Sequence, residues 1–493
     1  MIATGLGLGI VLGIVLQRGR FCVTGMLRDI FTRKTFRPLT ALLIVISIQA
    51  IGVAALTAAG IITPKVSNFA PAAVIIGSLL FGIGIVLAGG CATGTWFRSG
   101  EGLVGSWLAL AGYAVSAAAM KTGPLSGLND ALADRTINAT TIPQTLGVSP
   151  WVFAIALSAL TAYLTAFYLR REKQRPIAQL RRHWTKRSLH LYTAAVLVGL
   201  IGVVAWPLSA ATGRNSGLGI TTPSADTVNY LATANPESLN WGTLLVLGIL
   251  VGSFVAAKFA GEFRVRVPDA VTSVRSVVGG LLMGVGAAWA GGCTVGNGMV
   301  QTSLFSYKGW VALLFTAVGV YIAAKIWLKP TKNVSPVDAD LAALDAELDA
   351  ELDAELDSEL DAELAQNPSA GFGSPRSVNV NKPTGADSDP ALKLAVAASP
   401  VLLKTRPQEP AASELREVAP GKFALDTLGA VCPFPLIDAR AAMAQLERGQ
   451  TLVLDFDCTQ ATETIPEWAA DEGYTISDFH ATGDAGWTIS VTK

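Results

Sequence analysis

A chain of 493 residues that is 51% apolar and only 15% charged excludes an ordinary soluble globular protein. Its formal net charge of zero hides a split: residues 1–332 carry 27 Lys+Arg against 9 Asp+Glu, and residues 333–493 carry 10 against 28. Five dispersed cysteines without Cys-x-x-Cys spacing argue against a disulfide framework or zinc site, and the lack of a Gly-x-x-x-x-Gly-Lys-Ser/Thr loop argues against ATP-driven pumping by this chain.

The first apolar run, 2–16, has no basic region before it and no small-residue cleavage pattern after it. It reads as a short retained helix rather than a removed signal peptide. Cys22 follows in Arg20-Phe21-Cys22-Val23-Thr24-Gly25, where that helix reaches basic sequence. Further apolar segments fall at 39–60, 71–89, 103–119, 151–169, 189–208, 241–257, 276–291 and 309–328. Several reach the roughly 20 residues that cross hydrocarbon, which predicts a multi-pass α-helical membrane protein. Lys and Arg number 6 in 17–38, 8 in 170–188, 4 in 258–275 and 3 in 325–332, against 1, 2 and 1 in 61–70, 120–150 and 209–240. The positive-inside rule then puts the N-terminus outside and everything after Lys329 in the cytoplasm.

The stretch from Gly77 to Gly94 recurs 202 residues later, from Gly279 to Gly296, with ten of eighteen positions identical. Ala-Gly-Gly-Cys is its core, at Cys91 and at Cys293. On the inferred topology the first copy starts from the outer face and the second from the inner, an inverted repeat with broken or short helices. Each Gly-Gly pair weakens its helix by about 1 kcal/mol per glycine relative to alanine, which favours half-penetrating segments. Non-helical backbone at that depth is tolerable only inside protein or along a polar pathway.

After Pro330 the character changes. Residues 338–363 iterate Asp-Ala-Glu-Leu with 12 acids and no base, and a Pro/Gly/Ser/Asn-rich stretch follows. Residues 331–413 therefore read as an acidic, low-complexity linker, largely disordered, whose acids lean weakly on the basic loop 170–188. From 414 to 493 a small domain reads βαβαββ: a strand at 423–426, a helix opened by Cys432-Pro433-Phe434-Pro435, a strand at 451–456, a helix at 460–472, and strands near 475–481 and 487–491. That is a two-layer α/β sandwich.

Cysteine is a small, habitually buried residue that fills gaps in helix packing. Two thiols at equivalent breaks of a repeat weaken that reading, and they make Cys91, Cys293, Gly90, Gly94, Gly292 and Gly296 candidate substrate contacts, with Cys22 beside them. Glycine-rich backbone N–H groups and helix ends suit an anion, and a thiol adds a soft donor. An anion with hard oxygens at one end and polarisable sulfur at the other, such as thiosulfate, fits. Few cations lie near the breaks (Arg98 and Lys308), as conduction with modest affinity requires. A soft metal such as a Cu(I)-like ion is the rival cargo, with Met26, Met283 and Met299 nearby but no histidine in a membrane segment. Cys432 begins a helix, where the dipole favours thiolate, with Pro433 expected at the first helical position. Cys458 ends the next strand in Asp455-Phe-Asp-Cys458-Thr-Gln460 and is a candidate resolving thiol.

These motifs carry a family likeness. Residues 1–330, through Arg-Phe-Cys22, Ala-Gly-Gly-Cys91-Ala-Thr-Gly and Ala-Gly-Gly-Cys293-Thr-Val-Gly, resemble the YeeE/YedE-type membrane proteins, which include bacterial thiosulfate transporters. The last domain resembles the TusA/SirA sulfur carriers, whose Cys-Pro-x-Pro matches Cys432 to Pro435; Cys458 matches the YeeD branch. The likeness implies thiosulfate import past Cys22, Cys91 and Cys293, and transfer of the sulfane sulfur to Cys432 as a persulfide. Topology alone orders the thiols Cys91, Cys293, Cys22. Expected partners are thiosulfate, the lipid bilayer, contact between the transporter and carrier halves, and downstream sulfur-acceptor proteins. No cofactor, metal or nucleic-acid partner is expected. A membrane-anchored sulfurtransferase or redox protein, or a carrier of selenium compounds, stands as the alternative.

Overall fold

The computed structural model describes residues 2–174, 178, 180, 187–329, 415–430, 432–483 and 485–493. The acidic tract, the linker 331–413 and the expected contact of the tract with loop 170–188 lie outside the described residues.

Among the described residues, eight helical segments are long and apolar enough to cross a membrane. The membrane half runs α1 (Ala3–Arg18), α2 (Val23–Thr32), α3 (Arg37–Ala58), α4 (Pro71–Leu87), α5 (Ala92–Gly100), α6 (Val104–Lys121), α7 (Ser126–Ala133), α8 (Ile142–Leu146) and α9 (Pro150–Gln174). It continues with α10 (Leu191–Ala210), α11 (Thr221–Thr233), α12 (Trp241–Ala260), α13 (Ala270–Trp289), a six-residue π-helix at Gly296–Gln301 and α14 (Tyr307–Trp327). The expected segment 276–291 starts six residues earlier, because the Asp269 side chain caps α13 by accepting from the N–H groups of Val271 and Thr272. At 20 residues α13 is about 30 Å long, the thickness of a hydrocarbon core.

Helix pairing displays the duplication. α4 and α13 cross antiparallel: Gly77 sits against Gly286 and Ala290, Gly84 against Gly279 and Met283. The helices touch backbone to backbone, as small residues allow inside membranes. In the repeat, Gly77 corresponds to Gly279 and Gly84 to Gly286, so each glycine packs on the counterpart of the other. The flanking pairs exchange likewise. α1 packs on α12 and α10 on α3; α6 packs on α13 and α14 on α4. α1 and α12 run parallel, Gly5 meeting Trp241, Gly9 Leu245 and Gly13 Ile249.

Each copy breaks at the same place. Gly89 and Gly291 both take the left-handed conformation (φ +68° and +66°), which glycine enters without the Cβ penalty. One residue pair later stand Cys91, which caps α5, and Cys293, which opens the turn into the π-helix.

The C-terminal domain holds β1 (Leu415–Ala419), β2 (Lys422–Thr427), α15 (Phe434–Gln445), β3 (Thr451–Phe456), α16 (Ala461–Glu472), β4 (Thr475–Gly483) and β5 (Gly486–Thr492). The sheet order is β1-β2-β3-β5-β4, with β2 and β3 parallel and the other pairs antiparallel. Two expectations need correction. The domain is ββαβαββ, because β1, mostly exposed, pairs with β2 through a tight turn at Gly421 and carries little apolar signal. Pro433 is the N-cap rather than the first helical residue; Phe434 and Pro435 open α15. Leu452, Leu454 and Phe456 alternate onto the face shared with Trp487, Ile489 and Val491, all buried, and α15 and α16 contact the sheet and each other.

Candidate functional site

The two thiols of the carrier-like domain meet because of strand direction. β2 and β3 are parallel and in register to Thr427 opposite Phe456, so the loops leaving their carboxyl ends are neighbours. Cys432 lies on the first loop and Cys458 on the second, and the two are disulfide-bonded with Cα atoms 6.1 Å apart. Each precedes a helix, whose N-caps are Pro433 and Gln460, and Asp457 tethers the loops by accepting from the Gly429 N–H at 3.1 Å.

Cys22, Cys91 and Cys293 are free and buried. Cys22 and Cys91 occupy the N-cap positions of α2 and α5, and their sulfur atoms flank Gly94. Gly94 lies between the first two: its N–H donates to the Cys91 sulfur at 3.4 Å, and a Cβ there would stand 3.6 Å from Cys91 Sγ and 3.8 Å from Cys22 Sγ. The hydroxyls of Thr24 and Thr93, each two residues from a thiol, are buried without a hydrogen-bond partner, which leaves polar capacity inside the bundle. Gly90 lies against Arg98, and Gly292 against Asn297, whose amide donates to the Gly292 and Ala290 carbonyls at 3.0 and 2.9 Å. Gly296 faces open space. In the second half α11 takes the place that α2 holds in the first, and Thr221 and Ser224 stand there instead of a counterpart to Cys22. They accept from Tyr113 and Trp96 at 2.9 Å.

The two cations near the breaks are used alike. Arg98 donates to the Gly89 carbonyl and Lys308 to that of Gly291, at 3.2 Å for the lysine. Each therefore caps the carbonyl of a left-handed glycine in its own copy. Arg98 also lies 3.8 Å from Cys22 Sγ and donates to Gln460 Oε1 of the carrier-like domain at 2.6 Å.

That domain docks on the end of the membrane half where the basic residues gather. Glu467 of α16 pairs with Arg33 at 2.9 Å and with Arg37; Asp471 lies 3.6 Å from Arg33, and Arg440 donates to the Thr32 carbonyl. Arg266 lies 3.9 Å from Asp457. Beneath this surface Gln17 donates to Glu262 at 2.8 Å and to Glu101 at 3.3 Å, and Arg20 pairs with both carboxylates. Sequence reasoning passed over this cluster; a signal was available, since Glu101 and Glu262 are two of only 9 acids in residues 1–332 and each sits beside a glycine.

Two carboxylates of α16 give the docking a pH dependence of definite sign. Burial raises Glu463 to about 7, with Arg20, Glu467, Ser188 and Arg37 as its polar neighbours. Released from the interface it returns toward 4.5, so the docked state holds a proton that the free domain gives up, and docking weakens as pH rises from about 5 to 7, by up to tenfold per unit. Burial would raise Glu467 too, but Arg37 and Arg33 outweigh it and hold that carboxyl low. Its contribution therefore persists above the free value and is lost only in stronger acid. Hydrogen exchange in Ala461–Glu472, corrected for intrinsic rate, is expected to be slower near pH 5.5 than near pH 8. Glu463→Gln should keep it slow at both, and an unchanged pH response in that variant would exclude this carboxyl as the cause.

Residues 18–322 match the sulphur-transport family and residues 424–493 match the sulfurtransferase TusA family. The chain is 47% identical over 341 residues to the thiosulfate transporter TsuA of Escherichia coli K12, covering 68% of this chain and 97% of that protein. It is 34% identical over 343 residues to TsuA of Spirochaeta thermophila, covering 66% of this chain and 99% of the relative. Its end is 58% identical over 69 residues to E. coli TsuB, named as a proposed sulfur carrier protein, covering 14% of this chain and 92% of TsuB.

Proposed function

The chain belongs to the sulphur-transport family and carries a TusA-type domain at its C-terminal end, and from that premise we propose that it imports thiosulfate and delivers it to its own carrier domain. The observation that carries this reading is Arg98, whose guanidinium reaches the Cys22 thiol on one side and Gln460, two residues from Cys458, on the other. Arg98 thus runs from a membrane thiol to the loop that carries Cys458, and lines one cavity with Cys432 and Cys458.

The carrier domain lies in the cytoplasm and the N-terminus outside. In support, Arg33, Arg37 and Arg266, from two of the basic loops, all face the carrier domain, as the positive-inside rule expects of an inner surface. Lys308 and Lys121, which influence one another, then lie at the outer end and draw a dianion toward the break at Gly291. The contacts favour the order Cys293, Cys91, Cys22 over the order inferred from topology alone, because Lys308 holds the Gly291 turn while Arg98 joins Cys22 to the carrier. Thiols and hydroxyls solvate the anion without the fixed charges that would trap it, as conduction through serial sites requires.

At the exit, the Cys432–Cys458 disulfide is first opened by a thiol reductant. The Cys432 thiolate then attacks the terminal sulfur of thiosulfate; the S–S bond breaks, sulfite leaves with the electron pair, and a Cys432 persulfide remains. Consumption at the exit pulls uptake forward.

Proteoliposomes containing the full chain, with radiolabelled thiosulfate supplied outside, test this reading. Accumulation is expected in the wild type and to fall at least tenfold in Cys91→Ala, the thiol that flanks Gly94 together with Cys22; a tenfold loss is about 1.4 kcal/mol of barrier. Undiminished accumulation after Cys22, Cys91 and Cys293 are all replaced by alanine would sink the thiol pathway. Thiosulfate breakdown without any accumulation would make the chain a membrane-anchored sulfurtransferase instead, and competition by selenium analogues measures selectivity.

A further inference from the structure

A cavity of about 50 Å³ closes between the two halves of the protein, walled by Arg98, Glu101 and Arg266 on the membrane side and by Cys432, Asp457 and Cys458 on the carrier side. By the measure in which one water occupies roughly 10–15 Å³, it holds a few waters or one small anion. Its thiols belong to one domain and its cations to the other.

The state of Arg266 marks this as more than a structural contact. Its nearest carboxylate oxygen, on Asp457, is 3.9 Å away, and its Nε and Nη2 atoms are buried with no hydrogen-bond partner. A guanidinium is a planar fork suited to oxyanions and is costly to bury with donors unused. Arg98 is better satisfied, yet its bond across the boundary goes to a neutral amide, Gln460 Oε1, which an oxyanion outcompetes. Two carboxylates oppose an anion here. Asp457 is engaged by the Gly429 N–H, and the Glu101 carboxylate is paired with Arg20 at 3.5 Å, which offsets its charge.

We propose that Arg98 and Arg266 of the membrane half complete the sulfur-transfer site of the carrier domain, holding the sulfonate oxygens of thiosulfate so that its terminal sulfur meets Cys432. This rests on the function proposed above and adds the anion-binding half of the site. The Cys432 thiolate forms the new S–S bond, the bond between the two thiosulfate sulfurs breaks, and the electron pair departs on sulfite, whose growing charge the two guanidinium groups stabilise. Docking then brings the sulfonate-holding cations to Cys432, so transfer is faster at the pore exit than in the undocked domain.

The test uses the full chain in nanodiscs with its disulfide reduced, and follows sulfite release from thiosulfate. Arg266→Gln and Arg98→Gln are each expected to lower kcat/KM for thiosulfate about 10- to 100-fold, the range for losing a charge-assisted hydrogen bond. The rate at which Cys432 reacts with the neutral 2-hydroxyethyl disulfide should not change. Arg266→Lys should recover part of the loss, since it restores the charge without the fork. Cys432→Ser should abolish sulfite release. If it does, and both glutamine variants keep wild-type kcat/KM or slow the neutral disulfide equally, the arginines do not bind the anion and this inference falls alone. Sulfite release that survives Cys432→Ser, or its absence from the wild type, overturns the carrier reading and this inference with it.

Discussion

Gly84→Leu and Gly286→Leu are each expected to abolish recovery of monodisperse protein, while Gly7→Leu, on the same scale of change, leaves it intact. A Cβ on Gly84 would stand 2.8 Å from both the Gly279 carbonyl oxygen and the Met283 nitrogen, and one on Gly286 would stand 2.5 Å from the Phe81 nitrogen. The opposing atoms are backbone of the partner helix, so no rotamer change relieves the clash. One extra methyl in a packed core costs about 1–3 kcal/mol, and a branched side chain at a backbone contact exceeds that. Against a total stability of about 5–15 kcal/mol, the α4 and α13 crossing cannot form. A Cβ on Gly7 would meet nothing within 4 Å, which makes that position the control. Because Gly84 and Gly286 are counterparts in the repeat, Gly84→Ala and Gly286→Ala should lower thermal stability by similar amounts, measured by fluorescence size-exclusion after heating. Markedly unequal losses, or normal recovery of Gly84→Leu, would contradict the antiparallel crossing.

The second large effect concerns the carrier thiols. Cys432→Ser is expected to eliminate any sulfur adduct when the reduced chain is incubated with thiosulfate, while Cys458→Ser is expected to accumulate one. The reason is the position of Cys458, near enough to bond Cys432. In the wild type the Cys458 thiolate attacks the Cys432 sulfur of the persulfide, hydrosulfide leaves, and the disulfide returns, so the adduct is transient. Without Cys458 that exit is closed. Intact-mass spectrometry reads the outcome directly: one added sulfur in Cys458→Ser, none in Cys432→Ser, and little in the wild type. An adduct on Cys432→Ser would reassign the nucleophile.

These two predictions draw on different levels of legibility. The glycine crossing was half visible: the repeated Gly-Gly-Cys segment and the charge of the loops announced two opposed copies, yet nothing in the letters said that Gly77 lies on Gly286 rather than on its own counterpart. Pairing across a pseudo-two-fold is a property of the assembled halves. Cys432 was legible from its helix-opening Cys-Pro-x-Pro motif, whereas its bond to Cys458 awaited the parallel pairing of β2 and β3, which brings two loops 26 residues apart to one edge. β1 escaped notice because an exposed edge strand carries hardly any apolar alternation.

By itself the sequence determined a helical membrane half built twice, an acidic stretch after it, a small α/β domain at the end, and five cysteines worth watching. Each of these rests on local quantities: hydropathy over about 20 residues, charge per loop, and the residue types that open or break a helix. The tertiary structure alone decided which side chains share a space. Arg98 bridges Cys22 and Gln460, residues separated by hundreds of positions, and Arg266 is left with unused donors beside Cys432. Such meetings depend on the docking of one whole domain on another, where many weak contacts choose the geometry together, and no single stretch of chain records their sum.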